Sequence, residues 1–221
     1  AATGGFRVNT NRLQVDWGEA KNLPENDQYT TLDNGEEDLR RLGGDNGAWN
    51  WMSLYGNIKY KLFDKYIFSA GGSLDFSTRT GNEAENVIKA GTMPIGSFYS
   101  MGAAWRISGE NFLKNAGALE ELKLRASYGT SGNDDIGNYR ALDYYSNAQY
   151  RETGALIPGS ITNKSLTFET IRQINTGLDL SLWGNRTSLT ANYYMMETED
   201  MLIRVPQQSF TGFNYKLANE G

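Results

Sequence analysis

Cysteine is absent from the 221 residues, so neither a disulfide framework nor a thiolate metal site can form. Histidine is absent as well, which removes Ser–His–Asp triads, HExxH zinc sites and any imidazole general base. Proline is scarce, at 4 residues against 25 glycines and 13 tyrosines, a balance that favours strands and turns over long helices. No apolar run approaches the roughly 18 residues of a transmembrane helix. That leaves a membrane crossing by strands open, because alternating strands average to a hydrophilic score. Basic runs are missing and the net charge is −5, which argues against a nucleic-acid partner. The first residues, Ala1 to Gly5, show no charged-then-apolar leader pattern, so a signal was removed or the chain begins within a larger protein.

What is present is period-two alternation. Leu54, Gly56, Ile58, Tyr60 and Leu62 fall on one face, with Asn57, Lys59 and Lys61 on the other. A tight turn at Asp64-Lys65 leads into Tyr66, Phe68, Ala70, Gly72, Leu74 and Phe76, opposed by Ser69, Ser73 and Asp75. Four further strands are expected. Their apolar faces carry Tyr99, Met101, Ala103 and Trp105; Leu122, Leu124, Ala126 and Tyr128; Ile174, Thr176, Leu178, Leu180 and Leu182; and Leu189, Ala191, Tyr193 and Met195. Between the third and fourth, Ser108 is the expected N-cap of a short helical excursion. Residues 1–52 read as mostly loop, with a short strand around Arg12–Trp17. Residues 77–97 and 130–167 read as long loops, and the tail from Arg204 as loop again.

Connections therefore alternate between short and long, as periplasmic turns and extracellular loops do in outer-membrane barrels. The expected organisation is an extracellular loop region at 1–52, barrel strands over 53–203, and the start of a further extracellular loop at 204–221. Aromatic residues near both ends of the apolar faces (Tyr66, Phe68 and Trp105 at the short-turn end; Phe76, Tyr99, Tyr128 and Phe168 at the long-loop end) are the expected lipid-interface girdles. The fold class is all-β, an antiparallel transmembrane segment of about six strands. A soluble antiparallel sandwich also alternates, but strands of about 10–13 residues exceed its usual length of about 5–6.

No residue set points to catalysis or metal binding. The acidic pairs Glu36-Glu37-Asp38, Asp134-Asp135 and Glu199-Asp200 lack an EF-hand pattern, and neighbouring loop carboxylates seldom converge as glycosidase pairs do. Asn163-Lys164-Ser165 and Asn185-Arg186-Thr187 fit the glycosylation sequon, a three-residue pattern too short to carry a function by itself. Lys59, Lys61, Asp75, Arg106, Arg125, Asp179 and Asn192 are the expected lumen-facing polar residues. Tyr139, Tyr144, Tyr145 and Tyr150 cluster in the longest loop, where rings could stack on sugar faces or peptides (the cargo or lipoprotein contact that the resemblance below implies), or pack the loop on itself.

Several blocks carry a family resemblance: Phe63 to Ala70; Ala103 to Ser108 with Glu110 and Phe112; Leu122 to Asn133 followed by Ile136 to Tyr139; Phe168 to Thr170 with Asn175 to Asp179; Asn192 to Tyr194 with Thr198 to Leu202; and Thr211 to Phe213 with Asn219 to Gly221. In this order and spacing they resemble the SusC/RagA-like class of TonB-dependent outer-membrane transporters, over roughly residues 50–221. Phe168 stands where that class usually has Trp, and Glu220 where Val is common. The resemblance implies a barrel of about 22 strands closed by a plug domain, with TonB pulling on the plug. It also implies a SusD-like lipoprotein at the mouth, oligosaccharide or oligopeptide cargo, outer-membrane lipid around the wall, no cofactor and no enzymatic activity. A soluble β-rich glycan-binding protein, or a barrel with a secretion or assembly role, are the competing readings.

Overall fold

The computed structural model describes residues 1–23, 31–85, 87–113, 117–150 and 153–221. It is all-β and antiparallel, and its only helical pieces among the described residues are 3-10 turns. The strands are β1 (Ala2–Glu19), β2 (Arg41–Leu62), β3 (Tyr66–Ser77), β4 (Ile88–Ala90), β5 (Met93–Arg106), β6 (Leu119–Asn133), β7 (Tyr145–Tyr150), β8 (Thr153–Pro158), β9 (Glu169–Leu182), β10 (Thr187–Glu199), β11 (Leu202–Pro206) and β12 (Tyr215–Asn219). The main sheet runs β1-β2-β3-β5-β6-β9-β10, with β4 beside β5, while β7-β8 and β11-β12 form separate hairpins. Contacts divide the chain into a larger unit, Ala1–Asn9 with Trp51–Gly221, and a smaller one, Thr10–Asn50.

In the larger unit the register carries each apolar face onto its neighbour. Tyr66 lies opposite both Leu62 and Trp105, Leu124 opposite both Trp105 and Leu178, and Leu178 opposite Ala191. A one-residue slip would turn every apolar side chain of the slipped strand to the wrong face, so the alternation itself specifies the pairing. Ala1 exchanges both backbone bonds with Lys59, at 2.7 and 2.8 Å. The first short connection is a type I′ turn. Phe63 and Asp64 have φ of 50° and 57°, and Lys65 N–H donates to Leu62 C=O at 3.0 Å. The β9-β10 turn likewise holds Trp183, Gly184 and Asn185 at positive φ.

Four loop expectations are corrected, the first being residues 77–97, which contain β4 and the first residues of β5. Residues 1–52 are not mostly loop: β1 spans 18 residues and β2 begins at Arg41. Glycines and polar residues hid the alternation there, but every such residue tolerates a strand whose backbone is paired. The 130–167 region contains the β7-β8 hairpin, and the tail after Leu202 contains β11-β12. The helical excursion at Ser108 is two 3-10 turns, Ile107–Gly109 and Asn111–Leu113, and Arg106, not Ser108, occupies the N-cap.

The smaller unit consists of the distal parts of β1 and β2 with 3-10 turns at Leu32–Asn34 and Glu37–Leu39. Arg40 fastens the intervening bend by donating to the carbonyls of Asp33 (2.6 Å) and Gly35 (3.0 and 3.2 Å).

Large apolar side chains along the main sheet stay exposed: Leu54, Ile58, Tyr60, Phe68, Leu74, Met101, Leu124, Ile174, Leu189, Tyr193 and Met195 among them. The buried hydrophobic residues (Ala84, Phe98, Ile136, Ala141, Leu166 and Phe168) all lie instead at the long-connection end. There Leu166, with 0% exposure, packs with Ile136 and Ala141, flanked by Leu202 and Leu217. A soluble domain buries its sheet. Here, among the described residues, the buried hydrophobic side chains lie at the long-connection end, in loops and at Phe98 of β5.

Candidate functional site

The sheet presents two chemically distinct faces and a folded loop layer. On the apolar face, cross-strand rows such as Ile58–Ala70–Met101–Tyr128–Ile174–Met195 run continuously over six strands. From Ile174 to Leu182 the band follows β9 for about 27 Å. Tilted by about 40°, that gives a height near 20 Å, close to the apolar belt of about 25 Å in outer-membrane barrels. At the short-turn end Tyr66 and Trp105 stack at 6.4 Å, and at the other end Tyr99 and Tyr128 pair at 5.9 Å. Phe68 and Phe76 share their face on β3. Phe168 does not join them. It is 5% exposed and meets Phe98 edge-on at 5.9 Å, so its ring is covered by the loop layer and cannot reach lipid.

Below the Tyr66–Trp105 stack, one carboxylate fastens the short-turn end. Glu110 accepts from Lys65 Nζ (2.8 Å), Tyr66 OH (2.8 Å) and Trp105 Nε1 (3.1 Å). These donors hold its pKa down at about 2, the Lys65 bond first. The type I′ turn delivers Lys65, the 3-10 turns deliver Glu110, and Arg106 N–H donates to Lys65 C=O at 2.7 Å. Sequence reasoning did not single out Glu110. Its spacing of five residues from Trp105 was visible, but its other two partners, Lys65 and Tyr66, come from the β2-β3 hairpin.

The opposite face carries Lys59, Lys61, Asp75, Arg106, Arg125, Asp179 and Asn192. Lys61, Arg125 and Asn192 lie in one cross-strand row, and Arg106, Lys123, Asp179 and Thr190 in the next. Asp179 gathers the second row. It accepts from Lys123 Nζ at 3.2 Å, Arg125 Nε at 3.2 Å and Thr190 Oγ1 at 3.3 Å, and Arg125 reaches on to Asn192 Oδ1. Gly177 makes the approach possible, since a Cβ there would meet Asn192 Oδ1 at 2.7 Å and Arg125 Cζ at 2.8 Å. Lys59 sits in the adjacent row, and Lys61 pairs with Asp64 at 2.7 Å. Asp75 is set apart, accepting from Ser53 Oγ at 2.5 Å. Lys123 was the omission here, although its odd-numbered position on β6 matches that of Arg125.

The loop layer is stitched together by side-chain amides and carboxylates. Asn219 Nδ2 donates to Thr167 O (3.1 Å) and Asp200 O (2.9 Å), while its Oδ1 accepts from Thr167 N–H at 2.9 Å. Asn163 Nδ2 donates to Leu217 O at 2.8 Å, and Leu202 N–H donates to Glu169 at 2.7 Å. Ser77 Oγ donates to Asp134 at 2.5 Å. Asp143, held below the usual carboxylate range by Thr162 and then Lys164, forms a 3.1 Å ion pair with Lys164. Of the loop tyrosines, Tyr139 and Tyr144 tilt against each other at 5.9 Å, and the Tyr144 ring covers Gly159. Tyr145 is 69% exposed. The side chain of Tyr150 lies outside the described residues. Acidic pairs stay apart: among the described residues no cluster of three metal-ligating acids forms.

Comparison with known proteins agrees with this geometry. The family model described as TonB dependent receptor-like, beta-barrel, matches residues 2–221. The TonB-dependent receptor P39 of Formosa agariphila is 35% identical over 198 residues, covering 89% of this chain and 18% of that protein. The TonB-dependent receptor SusC of Bacteroides thetaiotaomicron is 29% identical over 174 residues, covering 75% of this chain and 16% of that one. Among solved structures, the RagAB peptide transporter superposes with a TM-score of 0.77 at 25% identity, covering 99% of this chain and 24% of that chain. The chain thus spans under a fifth of the length of these two receptors. The two-faced sheet, the register and the whole-length family match together show that the chain belongs to the TonB-dependent receptor β-barrel family of the outer membrane, in its SusC/RagA-like branch.

Proposed function

We propose that these residues form wall and extracellular loop layer in an outer-membrane importer for oligosaccharides or oligopeptides, energised through TonB and working with a SusD-like surface lipoprotein. One observation carries the reading: an unbroken apolar face and an ion-paired polar face share the same six strands, as a wall between lipid and an aqueous lumen requires. The structural neighbour RagAB is a peptide importer, which supports import and favours no cargo class for this chain. In this reading the chain does no chemistry. It shapes a passage, and a plug elsewhere in the polypeptide couples that passage to TonB.

The loop layer is the candidate for cargo or lipoprotein contact. Its hydrogen-bonded core holds Tyr139, Tyr144 and Tyr145 on a fixed base, with Tyr150 in the same hairpin. Exposed Tyr145 is the residue of choice for stacking, as Tyr139 and Tyr144 already pack the loop on itself.

Expression of the complete transporter with its neighbouring lipoprotein tests this reading. Expected are a heat-modifiable barrel in the outer membrane, co-purification of the lipoprotein, and uptake of labelled oligosaccharide or oligopeptide that stops when TonB is deleted. Tyr145→Ala should weaken cargo or lipoprotein binding while barrel assembly persists. A soluble folded product, or uptake indifferent to TonB, would refute it.

A further inference from the structure

We propose that the polar face carries an anion site, a concavity on β3, β5 and β6 that binds a carboxylate. The cavity, of about 290 Å³, is lined by Lys59, Ser69, Lys123, Arg125, Ser127 and Asn175. That volume is at the low end of the ~300–1,000 Å³ typical of small-ligand pockets. Its shape follows from side-chain size. Gly102 and Ala104 on β5 form the floor, while long cations rise from β2 on one side and β6 on the other. A Cβ at Gly102 would meet Ser69 Oγ at 2.8 Å, so the floor is as low as the backbone allows.

The charge of this region is unbalanced. Lys59, Lys61, Arg106, Lys123 and Arg125 lie in three adjacent cross-strand rows. Two carboxylates share that part of the face, Asp179 and Glu121. Asp75 is six residues along β3 from Ser69, about 20 Å away. Asp179 is already engaged by Lys123, Arg125 and Thr190, and the carboxylate partner of Lys61 is Asp64 in the turn. Lys59 has no acidic partner among the described residues, and Arg125 approaches Asp179 with its Nε edge and one Nη. Gln173 donates to Asn175 Oδ1, which leaves the Asn175 amide hydrogens as donors toward the cavity. Excess cations, hydroxyl donors and an amide donor around a dent suit an anion, and walls of low dielectric strengthen the attraction. The chemistry recognised is a carboxylate, whether from polypeptide outside these residues or from a free ligand.

Zero-length carbodiimide coupling of the complete transporter in micelles tests the site, because it joins lysine amines to carboxylates in contact. One arm has no addition, and the other contains triglutamate, with N-acetyl-triglutamine amide, which has no carboxylate, as control. The expected result is amide cross-links at Lys59 and Lys123. Links to Asp or Glu of the same polypeptide outside residues 1–221 identify an internal source, and links to triglutamate alone identify a free anion. Ala104→Leu, which fills the dent without changing charge, should lower both yields at least fivefold. Lys59→Gln, an exposed change that leaves the strand intact, should do the same for the link at Lys123. Heat-modifiable migration confirms that each variant is folded. Coupling only to Asp64 or Asp179, or coupling unaffected by Lys59→Gln, would overturn the proposal.

Discussion

Leu178→Arg is the sharpest perturbation of the wall. Leu178 lies at the middle of the apolar run on β9, four residues from Ile174 and four from Leu182, with Leu124 and Ala191 opposite it on the two neighbours. If this face meets lipid, an arginine there sits near the bilayer midplane and costs about 2–4 kcal/mol. At 1.4 kcal/mol per decade, that lowers the folding equilibrium by a factor of roughly 30–700. The same substitution at Leu182, about 13 Å further along the strand, should cost only about 0–1 kcal/mol because the guanidinium can reach the interface. Ser181→Arg, on the polar face beside Leu182, should be close to neutral. Urea unfolding of the complete barrel in lipid vesicles, followed by tryptophan fluorescence, measures all three. A soluble sandwich predicts another order. An exposed Leu178→Arg would then change stability by under about 0.5 kcal/mol, whereas a covered one would be as costly at Leu182 as at Leu178. Either a flat depth profile or a neutral Leu178→Arg would refute the membrane face.

Acidification should release the clamp at the short-turn end. The carboxyl of Glu110 is held down at about 2 from an ordinary 4.5, so its contribution is present above about 4.5 and is lost as the pH falls through about 2. Stability measured over that window should fall less steeply in Glu110→Gln; parallel curves would remove the clamp from the account. Leu166→Ala, at 0% exposure in the loop core, should cost about 2–5 kcal/mol locally. It should open the loop layer to limited proteolysis while heat-modifiable barrel migration persists, and failure of barrel assembly would show that the loop core is not a separate unit. Gly177→Ala should displace Arg125 from Asp179 and Asn192 and cost about 1–3 kcal/mol. Double-mutant cycles with Arg125→Gln should then show strong coupling, and additive effects would argue against the close approach.

The central strands were legible because period-two patterning is strong wherever one face must be apolar: Leu54 to Leu62, Tyr66 to Phe76 and Ile174 to Leu182 fall where the alternation put them. Beyond the apolar band that constraint lapses. β1 over Thr10–Glu19 and β2 over Arg41–Asn50 mix glycine, asparagine and charge on both faces, so backbone pairing persists without a hydrophobic signal. The hairpins β7-β8 and β11-β12 were missed for a related reason, being short and packed on loops. Phe168 misled in a different way. Its place at the end of a strand suits an interface girdle, but the partner that covers it, Phe98, lies 70 residues earlier on the polar side of β5. The polar face was legible residue by residue and illegible as a site. Lys59, Arg106, Arg125 and Asp179 all have the right parity, yet only register shows that Asp179 meets Lys123 and Arg125 and leaves Lys59 over.

Where the chain buries its hydrophobic side chains separates the wall from the loop layer. Lipid offers the apolar face no incentive to pack against protein, so the strands are held chiefly by backbone ladders and by the Glu110 clamp at one end. At the other end water does reach the chain, and there a small core forms around Leu166, Ile136 and Ala141. Asn163 and Asn219 tie that core to β12, and Glu169 ties it to the start of β11, so the loops share one base rather than moving separately. Under the proposed function, substitutions at the loop surface, Tyr145 above all, should therefore change cargo or lipoprotein binding without passing strain into the wall. Changes to Leu166 or Asn219 cannot, because they remove the base on which every neighbouring loop rests.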